Sequence, residues 1–87
     1  MKLKYKFVVQ EVADGFVAVT VGPDASKFSG IIRMNGTSAF VFDLLKEEIT
    51  MDEIVRKMYE KYDADEEVLR KDAEKFTADL REANLLS

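Results

Sequence analysis

The hydrophobic pattern of this chain changes rhythm at Asn35-Gly36. Before that point, apolar residues come in short β-branched and aromatic runs separated by turn residues. After it they recur at helical spacing. Residues 6–12 (KFVVQEV) predict a first strand. Ala13-Asp14-Gly15 follows, and Asp-Gly predicts a hairpin because the tight turn needs positive φ. Residues 16–21 (FVAVTV) form the return strand, apolar on both faces and so expected to be covered on both. Gly22-Pro23-Asp24 ends it, since proline gives no donor to a ladder. Residues 25–29 read as a short loop, and residues 30–34 as a third strand carrying Ile31, Ile32 and Met34.

From Asn35 onward the pattern is helical. Asn35 is a suitable N-cap for a helix over residues 36–47, whose Phe40, Val41, Leu44 and Leu45 predict one buried face. Thr50-Met51-Asp52-Glu53 has the form of a capping box opening a second helix. Its predicted stripe is Ile54, Val55, Met58, Tyr59 and Tyr62. A third helix is predicted over residues 65–84, with Asp65 as N-cap. Leu69, Ala73, Phe76, Leu80 and Ala83 form its narrow stripe, and its other faces carry mixed charge. Leu85 and Leu86 follow.

Strands and helices are thus segregated along the chain, which predicts an α+β fold. The expectation is a three-stranded antiparallel β-sheet followed by three α-helices, winged helix-turn-helix-like, in a single domain over residues 1–87.

Composition narrows the function. The 87 residues contain no histidine and no cysteine. That removes the commonest general base, thiolate zinc sites, and every Ser-His or Cys-His nucleophile arrangement. The net charge of −4 argues against affinity gained by neutralising phosphates. No apolar run approaches the ~20 residues of a membrane span, and no secretory apolar region follows the basic start, so a cytoplasmic protein is expected.

The remaining chemistry-bearing groups read as structural. Asp63, Asp65, Glu67 and Glu74 have offsets resembling a calcium loop, but the sharp-turn position is Val68, and acids opening a helix are favoured by its dipole. Ser26, Ser29 and Ser38 lack an activating base beyond lysine or carboxylate and read as loop and cap residues. Tyr59, Tyr62 and Phe76 sit at helical spacing and read as core. The third helix carries more acids than bases, unlike a DNA-reading helix. The strand over residues 31–34 is different. Little local chain follows it to cover its edge, and an open edge can accept an extended peptide as a further strand.

The ordered set Ile32-Arg33-Met34-Asn35, Ala39, Leu44-Leu45, Ile49-Thr50-Met51-Asp52-Glu53-Ile54-Val55, Tyr62, Asp72, Phe76, Leu80 and Leu85-Leu86 resembles the PqqD family. These are the pyrroloquinoline quinone biosynthesis protein D-like domains, or precursor-peptide recognition elements. The likeness covers about residues 6–87. Glu48 and Asn84 stand where the family often has glycine, and asparagine tolerates the left-handed conformation of a helix end.

The resemblance implies a non-catalytic peptide chaperone without cofactor or metal. It would hold the leader of a ribosomally made precursor peptide and present the core to a modifying enzyme, often a radical S-adenosylmethionine enzyme. In the family the leader adds beside the third strand and packs toward the third helix. Carried over, the peptide-binding residues are Ile31, Ile32, Arg33 and Met34 with Val68, Leu69, Asp72, Ala73, Phe76 and Leu80. Arg33 is a candidate for pairing with a leader carboxylate. Asp72 and Asp79 flank the stripe on one side, Thr77 and Arg70 on the other, and the sequence leaves open which side faces the strand. Two readings from other classes are a winged-helix transcription regulator and a subunit that pairs edge-to-edge with itself. The oligomeric state is likewise open.

Overall fold

The computed structural model describes residues 1–28 and 30–87. Ser29, one of the three serines considered above and the end of the predicted loop, lies outside the described residues. Strands β1 (Phe7–Val12), β2 (Gly15–Thr20) and β3 (Ile32–Met34) form an antiparallel sheet in that order. Helices α1 (Gly36–Leu44), α2 (Met51–Lys61) and α3 (Glu66–Glu82) follow. The predicted α+β architecture is the one observed.

The β1–β2 hairpin turns at Ala13-Asp14, with Val12 opposite Gly15. The positive φ falls on Gly15 (152°) and not on Asp14. A Cβ at Gly15 would also lie 2.7 Å from the Met34 carbonyl oxygen, so glycine serves the turn and the close approach of β3 together. After β2 the predicted loop winds into a short 3₁₀ helix, Gly22–Ser26, whose Asp24 carboxylate accepts the Lys6 N–H at 2.9 Å. The outer face of the sheet is less covered than its apolar pattern predicted: Val8 and Val12 are exposed, and Val17 and Val19 are only half-buried.

Asn35 caps α1 through its side-chain oxygen, which accepts the Ser38 N–H at 2.8 Å. The helix stops at Leu44, three residues before its predicted end. Leu45 is fully buried, and its carbonyl accepts the Leu3 N–H instead of continuing the helical ladder. The buried face is Val41, Phe42 and Leu45; Phe40 and Leu44 are half-buried. Phe42 was not predicted because this helix is apolar on nearly every side, so periodicity does not choose among its faces. Packing chooses: the Phe42 ring meets Phe7 at 5.1 Å and Phe76 at 6.4 Å, whereas Phe40 meets Tyr62 at 5.7 Å.

The Thr50–Glu53 capping box is formed in both directions. Ile54, Val55 and Met58 are buried as predicted, but Tyr59 points to solvent at 58% exposure. Asp65 occupies the N-cap position of α3 without a side-chain capping bond. This helix start is exposed, so water can take the free N–H groups. The buried line of α3 is Leu69, Ala73, Thr77 and Leu80; Phe76 is half-buried and Ala83 exposed. Thr77 is tolerated in the core because its hydroxyl donates to the Glu74 carbonyl at 3.1 Å. Asn84 takes φ 63°, with Asn84 N–H bonding the Arg81 carbonyl and Leu85 N–H the Leu80 carbonyl. That is a Schellman end, and the conformation expected of asparagine in a glycine position. It turns Leu85 and Leu86 back into the core, where Leu86 bridges to Leu3.

Candidate functional site

The outer edge of β3 is unpaired among the described residues. Which of its backbone groups face outward follows from the ladder. Val21 N–H donates to the Lys6 carbonyl, so alternation makes Val8, Gln10 and Val12 the β1 residues that bond β2. Phe16 and Ala18 then bond the other way, to Met34 and Ile32. The tight approach of the Met34 carbonyl to Gly15 agrees with this. Arg33 is therefore the β3 residue whose N–H and C=O project from the sheet.

Beside that edge runs a groove of about 480 Å³. One wall is Ile31, Ile32, Met34 and Asn35; the other is the Phe76, Asp79, Leu80 and Ala83 side of α3, with Phe28 and Leu85 also lining it. A second hollow of about 270 Å³ shares Asn35, Ser38, Phe76 and Asp79 and continues to Thr37, Asp72 and Lys75. The two form one channel, apolar near Leu80 and polar near Asp72. The polar end includes the capped start of α1, where Asn35 holds the Ser38 N–H.

The candidate residues are distributed as follows. Ile31, Ile32, Arg33, Met34, Phe76 and Leu80 line the groove, and Asp72 lines its polar extension. Ile31 lies just outside the strand and is 59% exposed. Arg33 also borders a depression at the hairpin turn with Val12, Asp14 and Phe16. Leu69 and Ala73 are in the core and line neither hollow, while Val68 is exposed near the start of α3. The open choice of flank is settled by geometry. Asp72 and Asp79 face the channel, whereas Thr77 is buried and Arg70 bonds Asp52 at 2.7 Å on the α2 side. Sequence reasoning missed Phe28, Ser38, Lys75 and Leu85 as lining residues. Asp72, Phe76, Asp79 and Ala83 follow one another at 4-3-4 spacing, a signal that could be used only once the facing side was known.

The acidic groups do not assemble a cation site. Among the described residues, no cluster of three or more potential ligands is placed to hold a metal ion. Nor is any described helix long and apolar enough to cross a membrane.

The family model for coenzyme PQQ synthesis protein D (PqqD) matches residues 9–86. A search of curated proteins returns no match. Among solved structures, "TbiB1 in Complex with the TbiA(beta) Leader Peptide" superposes with a TM-score of 0.73 at 21% identity, covering 100% of this chain and 95% of that one.

Proposed function

Because this chain belongs to the PqqD family, we propose that it captures the leader segment of a ribosomally made precursor peptide by strand addition to β3. The observation that carries this reading is the channel between an unpaired strand edge and a half-apolar helix face. Arg33 supplies the outward backbone donor and acceptor. Ile32, Phe76 and Leu80 supply apolar surface for alternate leader side chains. The fold shared with a protein solved in complex with a leader peptide supports the same assignment.

The chain is a binding protein in this reading, without chemistry or cofactor of its own, acting in the cytoplasm. It passes the tethered core to a modifying enzyme, for which we propose a radical S-adenosylmethionine enzyme. Tethering raises the core's local concentration there without the enzyme having to recognise the core itself. An extended leader loses conformational freedom on docking, so affinity is moderate and release stays fast.

A calorimetric titration with the precursor peptide encoded beside this protein tests the proposal. Saturable heat, with amide shifts concentrated at residues 31–35, is the expected result. Absence of both, or unchanged affinity in a folded Phe76→Asp variant, sinks it.

A further inference from the structure

Away from the channel, four of the thirteen basic residues line one cleft. Residues 1–6 contain three lysines and no acid. In the structure Lys2, Lys4 and Lys6 line a cleft of about 400 Å³ together with Lys46, Tyr5 and Phe7. Only part of this charge is answered. Lys46 pairs with Asp43 at 3.0 Å, and the Lys4 ammonium bonds the neutral Asn84 side chain. Lys2 and Lys6 form no salt bridge among the described residues. The segment is also fixed in place: Leu3 N–H bonds the Leu45 carbonyl and Lys4 N–H the Leu85 carbonyl, both at 2.8 Å. Four lysines thus line one cleft on a backbone held in place, with Tyr5 and Phe7 beside them.

The cleft adjoins the apolar end of the channel. Phe7, in the cleft, packs edge-on against Phe28 of the channel with centroids 6.1 Å apart. Lys4 is tied to Asn84 and Leu85, beside the channel residues Ala83 and Leu85.

We infer that the lysine cleft binds an acidic segment of the same precursor peptide, flanking the part that lies along β3. The inference rests on the leader-binding reading above and adds the charge of the flank and its place on the surface. Unpaired lysines at this spacing suit several carboxylates along an extended chain, with attraction that falls as salt rises. The flank would steer the peptide onto the protein and act as a second, tethered contact.

An amide-shift titration with acetyl-hexaglutamate amide, using acetyl-hexaglutamine amide as control, tests the cleft without relying on the channel. Shifts at residues 2–7 and 46 are expected with the glutamate peptide only, weakened by salt and lost in a Lys4→Gln/Lys6→Gln variant. Absence of shifts, or equal shifts with the glutamine peptide, overturns the inference. The precursor peptide with its flanking acids changed to amides should then bind wild type about tenfold more weakly, and the lysine variant no more weakly than the unchanged peptide does. Equal binding of both peptides to wild type removes the assignment to the flank. Arg33→Pro separates the two readings, because it removes the outward donor of β3 and spares the β2–β3 bonds, so it should weaken leader binding while leaving the hexaglutamate response intact.

Discussion

The sheet has two outer edges, and they offer an extended peptide different things. β1 is the longer, six residues against three, with its outward groups on Phe7, Val9 and Glu11 by the alternation that makes Val8, Gln10 and Val12 bond β2. Yet β1 ends in exposed Gln10, Glu11 and Val12. β3 is short but lies against α3 across a channel that holds Ile32, Phe76 and Leu80. Unpaired backbone on its own gives generic, sequence-blind attraction. A binding site needs that backbone beside a surface that reads side chains, and the short edge has one.

Proline substitution separates the edges most sharply. Arg33→Pro removes the outward donor of β3 while sparing the Ile32 and Met34 bonds to β2. Glu11→Pro does the same to β1, at a place where an edge strand tolerates proline. Arg33→Pro should weaken leader binding by at least about tenfold, and Glu11→Pro should leave it within about twofold. Calorimetry on variants with wild-type circular dichroism measures both. Equal losses would mean that the peptide does not distinguish the edges.

Phe76→Ala probes the channel wall. Half-buried and packed on Phe42, this ring should contribute to both binding and folding. The expected result is several-fold weaker leader binding with a loss of about 1–3 kcal/mol in urea denaturation. The exposed Tyr59→Ala should change neither.

Asn35→Ala removes the cap where β3 passes into α1. It should cost about 1 kcal/mol of stability, and leader binding should weaken only as far as the polar end of the channel loosens. A stability loss with unchanged affinity would confine recognition to the apolar end.

The smallest effect belongs to a site remote from both edges. In the capping box of α2, hydrogen bonds from the Thr50 N–H and hydroxyl hold the Glu53 carboxyl below its usual pKa. A depressed folded pKa gives stability that is present above the unfolded value and lost as pH falls through the folded one. Glu53→Gln should therefore flatten the acid limb of a stability–pH curve slightly and leave leader affinity untouched. A matching change in affinity would show that α2 takes part in recognition.

The sequence carried the order of elements because each boundary rests on local chemistry. Asn35 and the Thr50–Glu53 pair cap helices wherever they occur, and Asn84 accepts a left-handed turn. The same locality explains the errors. Nothing local says that the Leu45 carbonyl will bond Leu3 and end α1 early, or that Asp65 will leave its helix start to water. Nor could the pattern of α1 choose Phe42 over Phe40, since both lie in a run apolar all round.

Of the candidate site, the sequence showed the strand and the third helix as elements and the open edge of the strand. It did not show the facing side of α3. Asp72 and Asp79 look like any exposed acids in the sequence, and Thr77 looks less buried than Phe76. The reverse burial arises because Thr77 can satisfy its hydroxyl within its own helix, while Phe76 stands at the lip of a channel. The lysine cleft shows the same division. Sequence alone placed three lysines near one another in residues 1–6. Only the pairing of that segment with Leu45 and Leu85 brought Lys46 beside them and tied Lys4 to Asn84 and Leu85. Capping, turn and composition are properties of a few neighbouring residues; which faces meet depends on contacts between residues far apart in the chain, and those exist only once the chain has folded.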